Sequence, residues 1–183
     1  MTRYLALLRG INVGGKNVIK MADLKTRFQE EGFGDVATYI QSGNVLFDAQ
    51  PASLRDLTMH IEASLTRAFD YPASVVLRHH KQMRSIVNGA PSGFGEDPAR
   101  YRSDVIFLKA PLKAATAIER VVTRDGVDHA QAGNGVLYFA RLASRAGQSY
   151  LSKIVSLPVY QQMTIRNWST TTRLLALMDE SVR

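Results

Sequence analysis

Val36-Ala37-Thr38-Tyr39-Ile40-Gln41-Ser42-Gly43-Asn44-Val45-Leu46-Phe47-Asp48 is the stretch on which the fold turns. Two runs rich in β-branched and aromatic residues, Val36 to Gln41 and Asn44 to Asp48, are separated by Ser42-Gly43 alone. A two-residue break with a glycine free to adopt positive φ predicts a β-hairpin. Toward the N-terminus, Met21, Leu24 and Phe28 recur at helical spacing before Gly32, a C-terminal stop. Ahead of them, residues 3 to 9 read as a buried strand, the apolar run Tyr4-Leu5-Ala6-Leu7-Leu8 closed by Arg9. On the other side Pro51 opens a helix with Leu54, Leu57, Ile61, Leu65 and Phe69 on one face, and Ser74 to Arg78 reads as a further strand. The order β-α-β-β-α-β is the split βαβ plan of a ferredoxin-like unit, with helices on one face of an antiparallel sheet.

The pattern then recurs. After a short helix from Gln82 to Asn88, Ala90-Pro91-Ser92-Gly93-Phe94-Gly95-Glu96-Asp97-Pro98 is rich in proline and glycine without periodicity, a candidate boundary. Beyond it come a strand from Val105 to Leu108 and a helix from Ala114 to Val122. Runs Val127 to Ala132 and Val136 to Ala140 flank Gly133-Asn134-Gly135 like a hairpin, and helices follow from Tyr150 to Leu157 and from Trp168 to Met178. The expected architecture is α+β, two tandem ferredoxin-like (βαββαβ-type) halves with antiparallel sheets, covering residues 1–90 and 91–183. The repeat is one of topology, since the halves share no evident run of identities.

Composition narrows the functional classes. The chain has 183 residues, 45% of them apolar and 21% charged, and no cysteine, so disulfides, thiolate zinc sites and cysteine nucleophiles are excluded. The N-terminal apolar run is too short for a membrane span or a signal-peptide core, and we expect a cytoplasmic protein with no membrane partner. Net charge is +7, and no carboxylate lies between Asp128 and Asp179, a window that holds Arg141, Arg145, Lys153, Arg166 and Arg173. Such a surface favours anionic partners.

The most specific local motif is Gly10-Ile11-Asn12-Val13-Gly14-Gly15-Lys16-Asn17, which follows a strand and nearly matches the phosphate-loop pattern. Asn17 stands where a Ser or Thr hydroxyl would hold Mg²⁺, and Val18-Ile19-Lys20 delay the helix whose first N–H groups would hold the phosphates. An NTPase is therefore rejected. Gly14, Gly15 and Lys16 can still shape an anion-binding concavity, and the same residues serve equally as a glycine turn. The β-α-β-β-α-β order brings this loop and the Ser42-Gly43 hairpin to one end of the sheet, so that Asn12 and Lys16 could face Gln41, Ser42 and Asn44, with Arg9, Asn17 and Tyr39 as further candidate ligand-binding residues. Arg166 and Asn167, just ahead of the last helix, form a second candidate anion site, with Asn167 as N-cap. Trp168, the only tryptophan, reads as a packing anchor. His79-His80 would point to opposite faces of a strand, and no metal site is expected.

Tyr4 to Asn17, then Met21 and Leu24, then Thr38-Tyr39-Ile40-Gln41-Ser42-Gly43-Asn44-Val45-Leu46-Phe47 resemble the signature of the bacterial domain-of-unknown-function family DUF1697, and Arg166-Asn167-Trp168-Ser169-Thr170 is similar to its C-terminal motif. The resemblance implies a cytosolic α+β fold with a ferredoxin-like subdomain and supplies no activity, cofactor or catalytic residue.

Three functions compete. The leading one is a binding module for a phosphate-bearing ligand, either a phosphorylated small molecule or a nucleic acid. Against base stacking on the sheet, Asn44-Val45-Leu46-Phe47-Asp48 lacks the aromatic pair of RNA-recognition strands. The second is an enzyme acting on a small phosphorylated or acidic metabolite, with Lys16 and Arg9 as clamps near Ser42 or Tyr39. The third is an interaction protein pairing through exposed sheet edges. A closed pocket around Lys16 and Arg9 would favour the enzyme, an open basic face the binding module.

Overall fold

The computed structural model describes residues 1–181. Its elements run β1 Thr2–Leu8, α1 Met21–Glu30, β2 Gly34–Tyr39, β3 Asn44–Ala49, α2 Leu54–Phe69, β4 Val75–His79 and α3 His80–Asn88. They continue with β5 Tyr101–Leu108, α4 Ala114–Arg120, β6 Asp128–Ala132, β7 Val136–Leu142, α5 Leu151–Ile154, β8 Met163–Asn167 and α6 Trp168–Glu180. The protein is mixed α+β with two four-stranded sheets, ordered β2-β3-β1-β4 and β6-β7-β5-β8, every neighbouring pair antiparallel. The chain divides into two compact units, one of Met1–Met83 with the C-terminal stretch from Leu174, the other of Arg84–Arg173.

In the first unit, alternation along the strands sends Tyr4, Ala6, Leu8, Val45, Phe47, Val75 and Leu77 to one face, where they pack with Leu24 and Phe28 of α1 and Leu57, Ile61 and Leu65 of α2. The helix residues sit at the spacing that fills one stripe. Helix α2 starts where the Ser53 hydroxyl accepts the Asp56 N–H, and ends at Asp70 in the left-handed conformation. On the opposite face of this sheet Leu5, Leu7, Leu46 and Val76 are buried as well, which explains an unbroken apolar run where a half-solvated strand would alternate. In the second unit Ile106, Leu108, Leu137, Phe139 and Met163 pack with Ala117 of α4 and Ile154 of α5.

Three expectations are corrected. Strand β2 stops at Tyr39, so the hairpin turn is four residues, Ile40 to Gly43, and not the two of Ser42-Gly43. Ile40 and Gly43 both take positive φ, and the buried Asn44 side chain closes the turn by donating to Tyr39 O at 2.9 Å and Ser42 Oγ at 3.0 Å. The helix expected over Tyr150 to Leu157 is only Leu151–Ile154, followed by a 3₁₀ turn over Pro158–Gln162; the residue before a proline avoids the α region, which cuts the helix short. Met163–Asn167, expected as the lead-in to the last helix, is a strand paired with β5 from Leu108↔Met163 to Asp104↔Asn167.

Gly43 is the tightest point of the first unit. A Cβ there would lie 2.6 Å from Ile11 Cδ1 and 2.9 Å from Leu8 Cβ, and its φ is +77°. Gly14 also has positive φ, +58°, but meets nothing within 4 Å. In guanidinium chloride unfolding, Gly43→Ala should lose about 2–4 kcal/mol from overpacking plus strain, and Gly14→Ala only about 1 kcal/mol from strain alone. Equal losses would contradict this reading.

A second prediction concerns pH. Glu31, at the end of α1, accepts from Ser64 Oγ at 2.9 Å, from His60 Nε2 at 2.6 Å and from Arg27. Burial by itself pushes its carboxyl up, but the Ser64 hydrogen bond and the charges of Arg27 and His60 outweigh it and hold the carboxyl below its ordinary value of 4.5. An acid with a lowered folded pKa contributes stability that is complete above its unfolded value and lost as pH falls through the folded one. Stability of the wild type should therefore fall below about pH 4.5 more steeply than that of Glu31→Gln, measured by urea midpoints between about pH 3 and pH 6.

Candidate functional site

The glycine motif folds as a small finger at the end of β1. Asn12 N–H donates to Asn17 O at 3.1 Å and Lys16 N–H to Val13 O at 3.0 Å, with Val13 and Lys16 bridged antiparallel. Gly14 and Gly15 are the two central residues of this turn and both have positive φ, the mirror-image geometry that suits a two-residue hairpin. The asparagines hold the finger in place with their side chains. Asn12 Oδ1 accepts the Ile19 N–H at 2.8 Å, while Asn12 Nδ2 donates to Ile19 O at 3.0 Å and Gln41 O at 2.9 Å. Asn17 Nδ2 donates to Gly10 O at 2.8 Å. Asn12 and Asn17 themselves sit at positive φ, which asparagine tolerates better than most residues.

The Asn12 bond to Gln41 O brings finger and hairpin together, with consequences for each candidate. Asn12, Asn17 and the buried Asn44 spend their amides on the protein's own backbone, and Gln41 contributes its carbonyl while its side chain lies in solvent. Tyr39 and Ser42 are half-buried beside Asn44, and Arg9 is half-buried with its N–H on Ser74 O at 2.9 Å. Gly14, Gly15 and Lys16 are exposed at the tip, and the Lys16 ammonium has no partner among the described residues. The finger and the hairpin it touches also expose three large apolar side chains, Val13 at 67%, Val18 at 74% and Ile40 at 48%. The finger is an open, cationic and partly apolar surface, not a concavity.

The second candidate lies in the other unit. Asn167 is the N-cap of α6, its Oδ1 accepting the Thr170 N–H at 2.7 Å. Arg166 is buried, donates from Nη1 to Ile165 O at 2.9 Å, and is pushed by burial to a pKa of about 10. Arg78 repeats it in the first unit, buried in β4, donating to Leu77 O at 2.8 Å and brought to about 10 by the same cause. Arg78 faces Leu5 across its sheet as Arg166 faces Val105, so the two occupy one register position in their respective units. Both remain charged at neutral pH and belong to the sheets more than to an open site.

Asn167 also lines a cavity of about 470 Å³ together with Gly95, Tyr101, Ser103, Asp104, Arg141 and Trp168. Sequence reasoning passed over most of these residues. Ser103, Asp104 and Arg141 carry no motif, and their meeting depends on pairing between β5, β7 and β8. Phe94 and Gly95, expected as a linker, are packed instead: the Phe94 ring meets Trp168 at 5.1 Å and Tyr138 at 5.3 Å, and a Cβ on Gly95 would lie 2.0 Å from Trp168 Cδ1. The signal that could have found them is the aromatic between two glycines.

The solved structure of a conserved bacterial protein from Streptococcus pneumoniae is similar to this chain, with 26% identity over 97% of this chain and 98% of that one and a TM-score of 0.85. No curated protein matches. The family model described as "Protein of unknown function (DUF1697)" matches residues 1–138, which hold the finger, the hairpin and β5, and the chain belongs to that family.

Proposed function

We propose that the protein is a binding module for a phosphate-bearing polymer, a single nucleic-acid strand, gripped by the finger and hairpin of the first unit. The observation that carries this reading is the open, hydrogen-bonded finger, whose Lys16 ammonium has no partner among the described residues and which, with the hairpin, exposes Val13, Val18 and Ile40. Cations track a phosphate backbone, and apolar side chains offer surface to unstacked bases. Arg9 and Lys20 add charge at the same place, and no carboxylate occurs before Asp23. Openness favours a binding module over a small-metabolite enzyme, since Lys16 lines neither cavity of the second unit.

The strand orders β2-β3-β1-β4 and β6-β7-β5-β8, each in a β-α-β-β-α-β chain order, support reading the units as tandem ferredoxin-like halves. That plan is shared with RNA-recognition domains, which bind on the open sheet face. Here Leu5, Leu7 and Leu46 on that face are buried, so the finger is the surface left for a strand.

The test is fluorescence anisotropy with labelled single-stranded RNA and DNA across a salt series. We expect affinity to fall with salt by about 0.7 log units per log unit of salt for each phosphate engaged, and the Lys16→Ala/Lys20→Ala double variant to weaken binding and flatten that slope by about 1.4. Absence of binding at low salt, or a slope that the double variant leaves unchanged, overturns the proposal.

A further inference from the structure

The cavity in the second unit is a different kind of place from the finger. It lies at the start of α6, a helix of 13 residues whose first-turn N–H groups leave a partial positive charge. Asn167 caps only the Thr170 N–H. Asn167 itself and the exposed Ser169 line the cavity wall. Two guanidinium groups, Arg102 and Arg141, line it against one carboxylate, Asp104, and that carboxylate is already held by Arg141 Nη1 at 2.9 Å. The local balance is positive.

An independent observation points to a ligand. Ser103 is only 9% exposed, its hydroxyl has no hydrogen-bond partner among the described residues, and the residue lines both this cavity and a neighbouring one of about 340 Å³. A buried hydroxyl without a partner costs free energy, which an ordered water or a bound ligand group relieves. The apolar side of the cavity is formed by Trp168, Tyr101 and Pro98. Trp168 is packed edge to face against Phe94 and closely approached by Gly95, and so is a pre-set aromatic part of the lining.

We infer that this cavity is a binding site for a small molecule that joins a flat ring to a compact oxyanion, an aryl carboxylate or aryl phosphate. The oxyanion sits at the α6 N-terminus within reach of Asn167, Ser169 and Arg102, and the ring lies against Trp168 and Tyr101. The volume suits a ligand of metabolite size. The inference is independent of the nucleic-acid reading, since it uses no residue of the finger.

Trp168 is the only tryptophan, so the full-length chain reports on this site by its own fluorescence. Benzoate and phenyl phosphate are the probes; benzyl alcohol, a ring without charge, and inorganic phosphate, a charge without a ring, are the controls. A saturable change in Trp168 emission with either probe, at least about tenfold tighter than with both controls, is expected when charge-assisted bonds and ring contact act together. The tighter of the two probes identifies the oxyanion as carboxylate or phosphate. Arg102→Ala, an exposed position that leaves the fold intact, and Ser103→Ala should each weaken binding about fivefold or more. Lys16→Ala/Lys20→Ala should leave it unchanged, which separates this site from the finger. No saturable change with the probes, equal binding of the controls, or affinity indifferent to both Arg102→Ala and Ser103→Ala overturns the inference.

Discussion

One backbone hydrogen bond, made twice, organises this molecule. At the end of the inner strand β1, Leu8 N–H donates to Gly43 O at 2.8 Å; at the end of β5, Leu108 N–H donates to Gly135 O at 3.1 Å. The next amide repeats the correspondence, with Arg9 N–H on Ser74 O at 2.9 Å and Lys109 N–H on Gln162 O at 2.8 Å. Each pair of bonds ties the last turn of the inner strand to a hairpin on one side and to the entry of the outer strand on the other. In the first unit the bond forms only because Gly43 has no side chain, since Leu8 and Ile11 occupy the space a Cβ would need.

From that fixed end the two units diverge. In the first, residues 9 to 20 leave the strand as a finger stapled by Asn12 to the hairpin backbone, and a side chain expected to hold a ligand holds the chain. In the second the corresponding exit is short, Lys109 to Lys113 leading into α4, and no finger rises. The repeat is thus conserved in main-chain bonds and in the buried Arg78 and Arg166, while the loops that could meet other molecules differ. Buried sheet residues obey one geometry in both units; exposed connections are free to specialise.

The two candidate surfaces accordingly have opposite characters. The finger is convex and open, with cationic and apolar side chains in water, and suits an extended partner that supplies its own shape. The cavity at α6 is concave, walled by aromatics, and provided with a buried hydroxyl and a surplus of positive charge, which suits a small anionic molecule. Basic composition alone does not distinguish them, because a surplus of Lys and Arg states only the sign of the partner.

Much of the architecture was legible in the chain itself. Helical spacing marked α1, α2, α4 and α6, runs of apolar, β-branched and aromatic residues marked β1, β3 and β7, and the unbroken apolar run of β1 fits a strand buried on both sides. The N-cap role of Asn167 was legible too, because capping is a local contact. What sequence could not supply is whatever depends on a partner distant in the chain. The edge strand β8 is defined by its pairing with β5, the end of β2 by the Asn44 clamp, and the role of Phe94-Gly95 by a tryptophan far along the chain. Asn12 and Asn17, chosen from sequence as ligand groups, are consumed by backbone donors and acceptors that only the closed loop brings within reach. The sequence by itself determined the order of the elements other than β8, and the sign of the charge, because these follow from local periodicity and composition. Tertiary structure alone decided which polar groups are spent and which remain, because hydrogen-bond satisfaction is settled between segments and not within them.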